Sequence, residues 1–223
     1  DTVYCNYTLT ITQTALTITV TDQQYVYNND AQGENNATYT NSTEIASKVS
    51  VVGLEGSDAL TSIKLNGNRV AVGEYADEIV SSDAVIGANT ADYEISYIPG
   101  KLTITPATLT IKLDTTKMYD GSAFVSTYAA TGAGYTVTGL QNGATITAGV
   151  VTSSAKDVAT YIDSVATHYA EVTTDFATSD GITNYNVIYD LKQVITPREL
   201  TIKLDTTKVY DGTVFVSTYA ATG

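Results

Sequence analysis

Carboxylates recur at matched positions of this chain, each between a tyrosine and a glycine. One triplet is Tyr119-Asp120-Gly121 and the other is Tyr210-Asp211-Gly212, offset by 211 − 120 = 91 residues. A recurring carboxylate can bind a cation or act as a catalytic acid or base. In a tight turn, Asp instead accepts hydrogen bonds from its own backbone and Gly adopts a positive φ. The order Tyr-Asp-Gly predicts this structural turn, with both tyrosines anchored in the core.

Calcium is the cation for which the sequence offers ligands, because Ca²⁺ prefers oxygen donors such as carboxylates. The calcium candidates are Asp114, eight positions after Pro106, and Asp205, eight positions after Pro197. The residue spacing of an EF-hand does not occur in the sequence. We therefore expect no metal site and no cofactor, with Ca²⁺ at these aspartates as the alternative.

Residues for nucleophilic catalysis are scarce in the sequence. His168 is the only histidine and Cys5 the only cysteine. A serine or cysteine nucleophile needs an activating base beside it, and a zinc site needs three or four ligands. Phosphate-loop and dinucleotide-binding motifs are also missing. We predict that the chain is not an enzyme and has no catalytic residues.

One long stretch occurs twice, at 107–132 and at 198–223. Of its 26 aligned positions, 21 are identical. A long internal repeat indicates an array of similar domains. The predicted divisions are the last strand of a preceding repeat at 1–13, a first complete β repeat at 14–106, a second at 107–197, and the start of a third at 198–223. Pro106 and Pro197 lie at the junctions, where a single proline restricts φ and keeps the connection short.

Alternating apolar and polar residues predict β-strands throughout. Leu16, Ile18 and Val20 should share one buried face, and the start of the second repeat alternates in the same way. Thr, Val, Ile and Tyr, which favour strands, dominate the composition. The net charge of −13 disfavours nucleic acid and anionic membranes as partners. No apolar run is long enough to span a bilayer.

Local signals predict several turns and one ambiguous segment. Asn66-Gly67 is a strong hairpin signal, and Pro99-Gly100 predicts a turn in which the glycine adopts positive φ. Residues 21–44 are polar and predict a long surface excursion with a turn at 28–30. The stretch 44–52 fits either a strand or one short helix.

Several of these motifs together resemble the MBG- and YDG-type repeats of large bacterial surface proteins. The matching residues lie at 102–106, 109–111, 117–121, 139–143, 158–161 and 184–189. The resemblance covers nearly the whole chain, and the first repeat departs from it with Asn28-Asn29 in place of Asp-Gly. It implies tandem all-β modules in secreted adhesins and surface fibres, and thus an extracellular location on the bacterial cell surface.

The strand count per repeat predicts tandem immunoglobulin-like β-sandwich modules in an extended rod. The alternative is a β-grasp-like module with one short helix. We expect a non-catalytic stalk or spacer whose partners are neighbouring repeats of the same chain. One alternative is a self-assembling filament or surface-layer subunit that pairs strands with other copies. Another is a module that binds a host glycan or matrix protein through the 28–44 insertion.

Overall fold

The computed structural model describes residues 8–129, 133–163, 172–204, 207, 209–214 and 219–222. Cys5, His168 and Asp205 lie outside these residues. The described part of the chain consists mainly of β-strands in several sheets, as the sequence predicts. It divides into two compact units. Unit 1 is Asp1–Ala107 with Gln141–Ala144 and Thr183–Asn186, and unit 2 is Thr108–Leu140, Thr145–Ile182 and Val187–Gly223.

Unit 1 contains two sheets and a short helix. Its elements are β1 (Thr14–Val20), β2 (Gln23–Val26), β3 (Gln32–Tyr39), α1 (Ser42–Lys48), β4 (Val49–Val52), β5 (Ser62–Arg69), β6 (Gly73–Val85), β7 (Tyr93–Ile98) and β8 (Gly100–Thr105). One sheet has the order β4-β1-β7 and the other the order β2-β8-β6-β5-β3. The first strands of the unit pair in parallel with its last strands, β1 with β7 and β2 with β8. The other pairs of these two sheets are antiparallel.

The core of unit 1 follows the predicted alternation. Leu16, Ile18 and Val20 are all buried on one face of β1, so this prediction is confirmed. Leu102 and Ile104 are buried in the same way on β8. Side chains two apart along a strand point to the same face, which explains why the period-2 pattern identified these residues.

The ambiguous segment 44–52 contains both predicted structures. The helix α1 begins after Asn41, whose side chain accepts hydrogen bonds from the backbone N–H groups of Thr43 (2.9 Å) and Glu44 (3.2 Å). Such N-caps satisfy donors that have no partner within the helix. Ile45 is the buried residue of the helix, and β4 begins directly after Lys48.

The prediction of a long surface excursion over residues 21–44 is wrong. Strands β2 and β3 lie within this segment and form the two edges of the five-stranded sheet. The polar composition misled the interpretation because β3 is an edge strand, and an edge strand can present several polar side chains to solvent. The 28–44 insertion is therefore mostly regular structure.

The prediction of a hairpin turn at Asn66-Gly67 is also wrong. Both residues lie inside β5, and the strand continues to Arg69. Gly67 has φ +134°, and a Cβ there would overlap the backbone oxygen of Glu78. Glycine is used here for close approach between neighbouring strands rather than for a turn.

Pro99-Gly100 connects β7 with β8, but not by the predicted geometry. Gly100 does not have a positive φ; it is the first residue of β8. A Cβ there would lie 3.0 Å from the backbone oxygens of both Val20 and Thr21. The strands on either side of Pro99 belong to different sheets, so the connection transfers the chain between sheets instead of closing a hairpin.

Unit 2 is also built from sheets. Its strands are β9 (Ala107–Met118), β10 (Phe124–Thr127), β11 (Tyr135–Thr138), β12 (Ile146–Ser153), β13 (Ala159–Asp163), β14 (Val172–Thr178), β15 (Tyr185–Thr196), β16 (Thr201–Leu204) and β17 (Tyr219–Thr222). The first residue of β9 and the first two residues of β15 belong to unit 1. The sheet orders are β11-β9-β15-β13, β10-β12-β14 and β16-β17. Leu109, Ile111 and Leu113 are buried on one face of β9. Lys112 points the other way and lies 3.5 Å from the carboxylate of Asp190.

Candidate functional site

The Asp120 side chain closes a tight turn between β9 and β10. Its Oδ1 accepts hydrogen bonds from the Ser122 backbone N–H at 2.9 Å and from the Ser122 hydroxyl at 2.7 Å. Gly121, between them, has φ +76°. An aspartate that bonds the backbone two residues onward, followed by glycine in the left-handed region, is the geometry of an Asx turn.

The same turn occurs at two further places. Oδ1 of Asp211 accepts from the Thr213 N–H at 3.0 Å, and Gly212 has φ +74°. In the first repeat, Oδ1 of Asn28 accepts from the Asp30 N–H at 2.9 Å, and the φ of the residue between them is +63°. Asn28-Asn29 therefore forms the turn that Asp-Gly forms elsewhere. Asparagine tolerates positive φ better than most residues, which makes the replacement feasible.

The Lys117 ammonium keeps the Asp120 carboxyl ionised. Its Nζ lies 2.8 Å from Oδ1 of Asp120 and also donates to the Ser122 carbonyl oxygen at 2.9 Å. The same ammonium lies over the Phe124 ring, 5.6 Å from its centroid. The hydrogen bond from Lys117, followed by those from Ser122, holds the pKa of the Asp120 carboxyl well below its usual range. A carboxylate kept ionised in this way acts as a structural acceptor rather than as a proton donor.

The prediction that Tyr119 and Tyr210 anchor the core is wrong. Their exposed fractions are 41% and 94%, whereas Tyr27, the equivalent residue of the first repeat, is 1% exposed. The backbones are alike: the Tyr27 N–H donates to the Thr105 oxygen at 2.8 Å, and the Tyr119 N–H donates to the Thr196 oxygen at 2.9 Å. The turn geometry is therefore the same at Tyr27 and Tyr119, and the burial of each ring depends on the other residues that pack against it.

Asp114, a calcium candidate, is half exposed and lies 3.1 Å from Nζ of Lys192. Asp205, the other candidate, lies outside the described residues. Among the residues that the structure describes, no three His, Cys, Asp or Glu side chains form a group that could hold a metal ion. The arrangement at Asp114 is that of a surface ion pair.

The junction prolines lie at strand ends. Pro106 is the single residue between the end of β8 and the start of β9. Pro197 directly follows the end of β15, and β16 begins four residues later, at Thr201.

Unit 1 contains a buried ion pair that no local sequence pattern predicted. Glu34 on β3 has a side chain only 3% exposed, and Nζ of Lys48 lies 2.7 Å from its Oε1. The Gln23 amide donates to the same oxygen at 2.8 Å, and the Tyr39 hydroxyl donates to Oε2 at 2.6 Å. These four residues, which we call the Glu34 network, join β2, β3 and the last residue of α1. Their separation in sequence gave no local signal.

The Glu34 network holds its charges in the ionised state. Burial pushes the pKa of the Glu34 carboxyl upward, but hydrogen bonds from Lys48, Tyr39 and Gln23 outweigh it, and the pKa is lowered. Burial acts to lower the pKa of Lys48, yet its hydrogen bond to Glu34 raises it overall. Burial, followed by the hydrogen bond to Glu34, raises the pKa of the Tyr39 hydroxyl. These shifts describe a structural ion pair.

Unit 2 buries a neutral network instead. The Ser153 hydroxyl donates to Oε1 of Gln193 at 2.8 Å, and Nε2 of Gln193 donates to the Ser126 hydroxyl oxygen at 3.1 Å. All three side chains are buried. The bonds join β10, β12 and β15, and therefore connect the two larger sheets of the unit. We call these residues the Gln193 network.

Comparisons with known proteins add no assignment. No family model, curated protein or solved structure matches the chain. The resemblance to MBG- and YDG-type repeats therefore stays a prediction. In the described part of the chain, no helix has the length and hydropathy needed to cross a membrane.

Proposed function

We propose that the chain is a set of non-catalytic spacer repeats from a large bacterial cell-surface adhesin or fibre. The observation that carries this proposal is the parallel pairing of β1 with β7 and of β2 with β8. A chain pulled at both ends draws the first strand and the last strand of a repeat in opposite directions. Because these strands are parallel neighbours, the pull loads all their hydrogen bonds together in shear.

The junction supports the same proposal. With Pro106 alone between β8 and β9, tension passes from one repeat to the next without a flexible linker. A proline also restricts the backbone, which favours a limited range of angles between modules and hence an extended rod. The partners in this proposal are neighbouring repeats, and the location is extracellular.

The parallel pairs also bear on the type of module. An immunoglobulin-like sandwich consists of two antiparallel sheets. Parallel pairing of the first and last strands, together with the single short helix α1, favours the β-grasp-like alternative for the first repeat. The 28–44 insertion contributes a paired strand and the Glu34 network, which favours a structural role over ligand binding for this segment.

Force spectroscopy on the 223-residue chain tests the proposal. Pulled by its ends, each complete repeat should unfold in a separate step that releases about 300 Å of contour length, because extended residues span about 3.3–3.6 Å each. A single step that releases both repeats together would overturn the proposal.

A second pulling geometry provides the matched control. In a Cys5→Ser background, a handle at Ser57→Cys and another at the N-terminus pull on β1 and β4, which are antiparallel. This geometry peels the pair one hydrogen bond at a time, so the first repeat should yield at a lower force. Equal forces in both geometries would contradict the shear argument.

A further inference from the structure

One oxygen atom of the Glu34 network binds both a primary amine and a carboxamide. Oε1 of Glu34 accepts hydrogen bonds from Nζ of Lys48 at 2.7 Å and from Nε2 of Gln23 at 2.8 Å. The two nitrogens are therefore held beside the same atom, although 48 − 23 = 25 residues separate them in the chain. An amine and a carboxamide are the groups that can exchange to give a new amide bond and ammonia.

The carbonyl group of Gln23 is polarised from its other side. The Tyr25 hydroxyl donates a hydrogen bond to Oε1 of Gln23 at 2.8 Å. A donor at this position stabilises the negative charge that develops on a carbonyl oxygen when an amine attacks the carbon. On Glu34, Oε2 accepts from the Tyr39 hydroxyl at 2.6 Å, so Tyr39 fixes the carboxylate with Oε1 toward the two nitrogens.

Regular structure holds the two reacting side chains in place. Gln23 is the first residue of β2, and Lys48 is the last residue of α1. The Thr21 N–H donates to the Lys48 backbone oxygen at 2.8 Å, which ties the end of the helix to the chain just before Gln23. Groups that the fold holds together in this way react as one molecule, without the entropy cost of a bimolecular encounter.

We propose that Lys48 and Gln23 join through an isopeptide bond that the folded chain forms by itself, with Glu34 carrying the protons. The Glu34 side chain is only 3% exposed, so water competes little for its carboxylate. The chain modifies itself once and turns over no substrate. The chemistry does not depend on the proposed function, but a covalent bond inside the first repeat would add to the load that the repeat bears.

The reaction starts from the ion pair, in which the Lys48 amine is protonated. A proton passes from Nζ to Oε1 of Glu34 along their hydrogen bond, and the free amine attacks Cδ of Gln23. The Nζ–Cδ bond forms, the Cδ–Nε2 bond breaks, and Nε2 leaves as ammonium with the two protons that Nζ has given up through Oε1. Glu34 ends ionised, so no oxidant, reductant or second substrate is needed. Because the amine is charged in the ion pair, the bond forms slowly, after folding.

Intact-protein mass spectrometry on the full 223-residue chain tests this proposal. As the folded chain is incubated, its mass should fall by one ammonia molecule, about 17 Da. The bond also prevents cleavage by trypsin, which requires a free lysine side chain. No Lys or Arg precedes Lys48, so the first tryptic peptide of the unlinked chain ends there, whereas that of the linked chain extends to Lys64.

Variants assign the bond to its two side chains. Lys48→Arg and Gln23→Ala should abolish both the mass loss and the longer peptide. Glu34→Gln should abolish them as well, because it removes the proton carrier and keeps the size of the side chain. Tyr25→Phe should slow the mass loss by about 100-fold. Gln24→Ala, at the exposed neighbour of Gln23 on β2, is the matched control and should behave as the unmodified chain.

Circular dichroism identifies the variants that fold, and only these are compared. A folded chain that keeps its sequence mass and is cut after Lys48 would overturn the inference. A mass loss that persists in Lys48→Arg would also overturn it, since succinimide formation at an Asn-Gly pair releases the same ammonia.

Force spectroscopy separates this inference from the proposed function. The bond prevents the residues between 23 and 48 from extending, so the first repeat of the linked chain should release about 80–90 Å less contour length than that of Lys48→Arg. The stepwise unfolding that tests the proposed function is measured on the Lys48→Arg chain. Failure of the bond to form therefore leaves the proposed function intact.

Discussion

The two repeats bury different polar groups within similar strand arrangements. The first repeat encloses the charged Glu34 network, in which the carboxylate meets Lys48 at 2.7 Å. The second encloses the neutral Gln193 network, with hydrogen bonds of 2.8 and 3.1 Å to two serines. A charged pair must compensate a larger desolvation cost than a neutral amide does. The same arrangement of strands can therefore bury either a charged or a neutral network, and the repeat motifs do not specify which one forms.

The features that the repeats share lie at turns and strand ends. Tyr75 and Tyr161 occupy equivalent positions, and each hydroxyl donates to the backbone oxygen four residues earlier, at 2.9 and 3.0 Å. Gly53 and Gly139 both have positive φ and each approaches the backbone of the first strand of its repeat. These positions require particular backbone geometry, which restricts the residue type more tightly than a core position does.

The largest expected difference between the repeats concerns their equivalent tyrosines. Tyr27→Ala should lower the free energy of unfolding by about 3 to 5 kcal/mol, because it removes a fully buried aromatic ring. Tyr119→Ala should cost about 0.5 kcal/mol or less, as for other exposed positions. Urea unfolding followed by circular dichroism measures both variants. Equal losses would show that the rings of Tyr27 and Tyr119 are covered alike.

Removal of Glu34 should have the next largest effect. Glu34→Ala leaves Lys48 and Tyr39 without their acceptor, and we expect a loss of about 3 kcal/mol in the free energy of unfolding. Glu34→Gln keeps an acceptor oxygen and should lose less. Lys112→Ala, which breaks the exposed pair with Asp190, is the control and should cost about 0.5 kcal/mol or less. A loss at Glu34 no larger than at Lys112 would contradict a structural role for the network.

Gln193→Ala should destabilise unit 2 by about 2 kcal/mol. The substitution leaves the buried hydroxyls of Ser126 and Ser153 without their shared partner. Because the Gln193 network carries no charge, the loss should be the same at neutral and at acidic pH. Urea titrations at both pH values provide the measurement. A loss that changes strongly with pH would mean that the network is coupled to an ionisable group.

The stability of the two repeats should also depend differently on pH, because only the first contains the charged Glu34 network. The pKa of Glu34 is lowered in the folded protein, so its contribution is fully present above the ordinary value of 4.5 and is lost as pH falls through the lowered value. The pKa of Lys48 is raised, so its contribution is present below 10.5 and is lost as pH rises through the raised value. The network therefore stabilises unit 1 between these limits.

Urea midpoints at pH 7 and at about pH 3 test this expectation. Glu34→Gln should reduce the acid-induced loss of stability in unit 1. Asp120 also has a lowered pKa, so Asp120→Asn serves as a comparison for a carboxylate in unit 2. If Glu34→Gln shows the same acid sensitivity as the unmodified chain, the ionised Glu34 is not the source of the effect.

Features that depend on near neighbours in the chain follow from the amino-acid sequence alone. Alternation placed Leu16, Ile18 and Val20 on one buried face, because side chains two apart along a strand point the same way. The order Asp120-Gly121 was enough to predict a turn, since the aspartate bonds the backbone only two residues away. The internal repeat likewise located the equivalent turn at Asp211.

Features that depend on residues far apart in the chain emerge only in the folded protein. Asn66-Gly67 lies in a strand because the neighbouring strands approach closely there, which its local hairpin signal could not reveal. Glu34 and Lys48 meet although 14 residues separate them. Tyr27 is buried while Tyr119 is exposed, because the ring of Tyr185 covers only the first of them. Local geometry follows from adjacent residues, whereas burial and charge pairing depend on which surfaces the completed fold brings together.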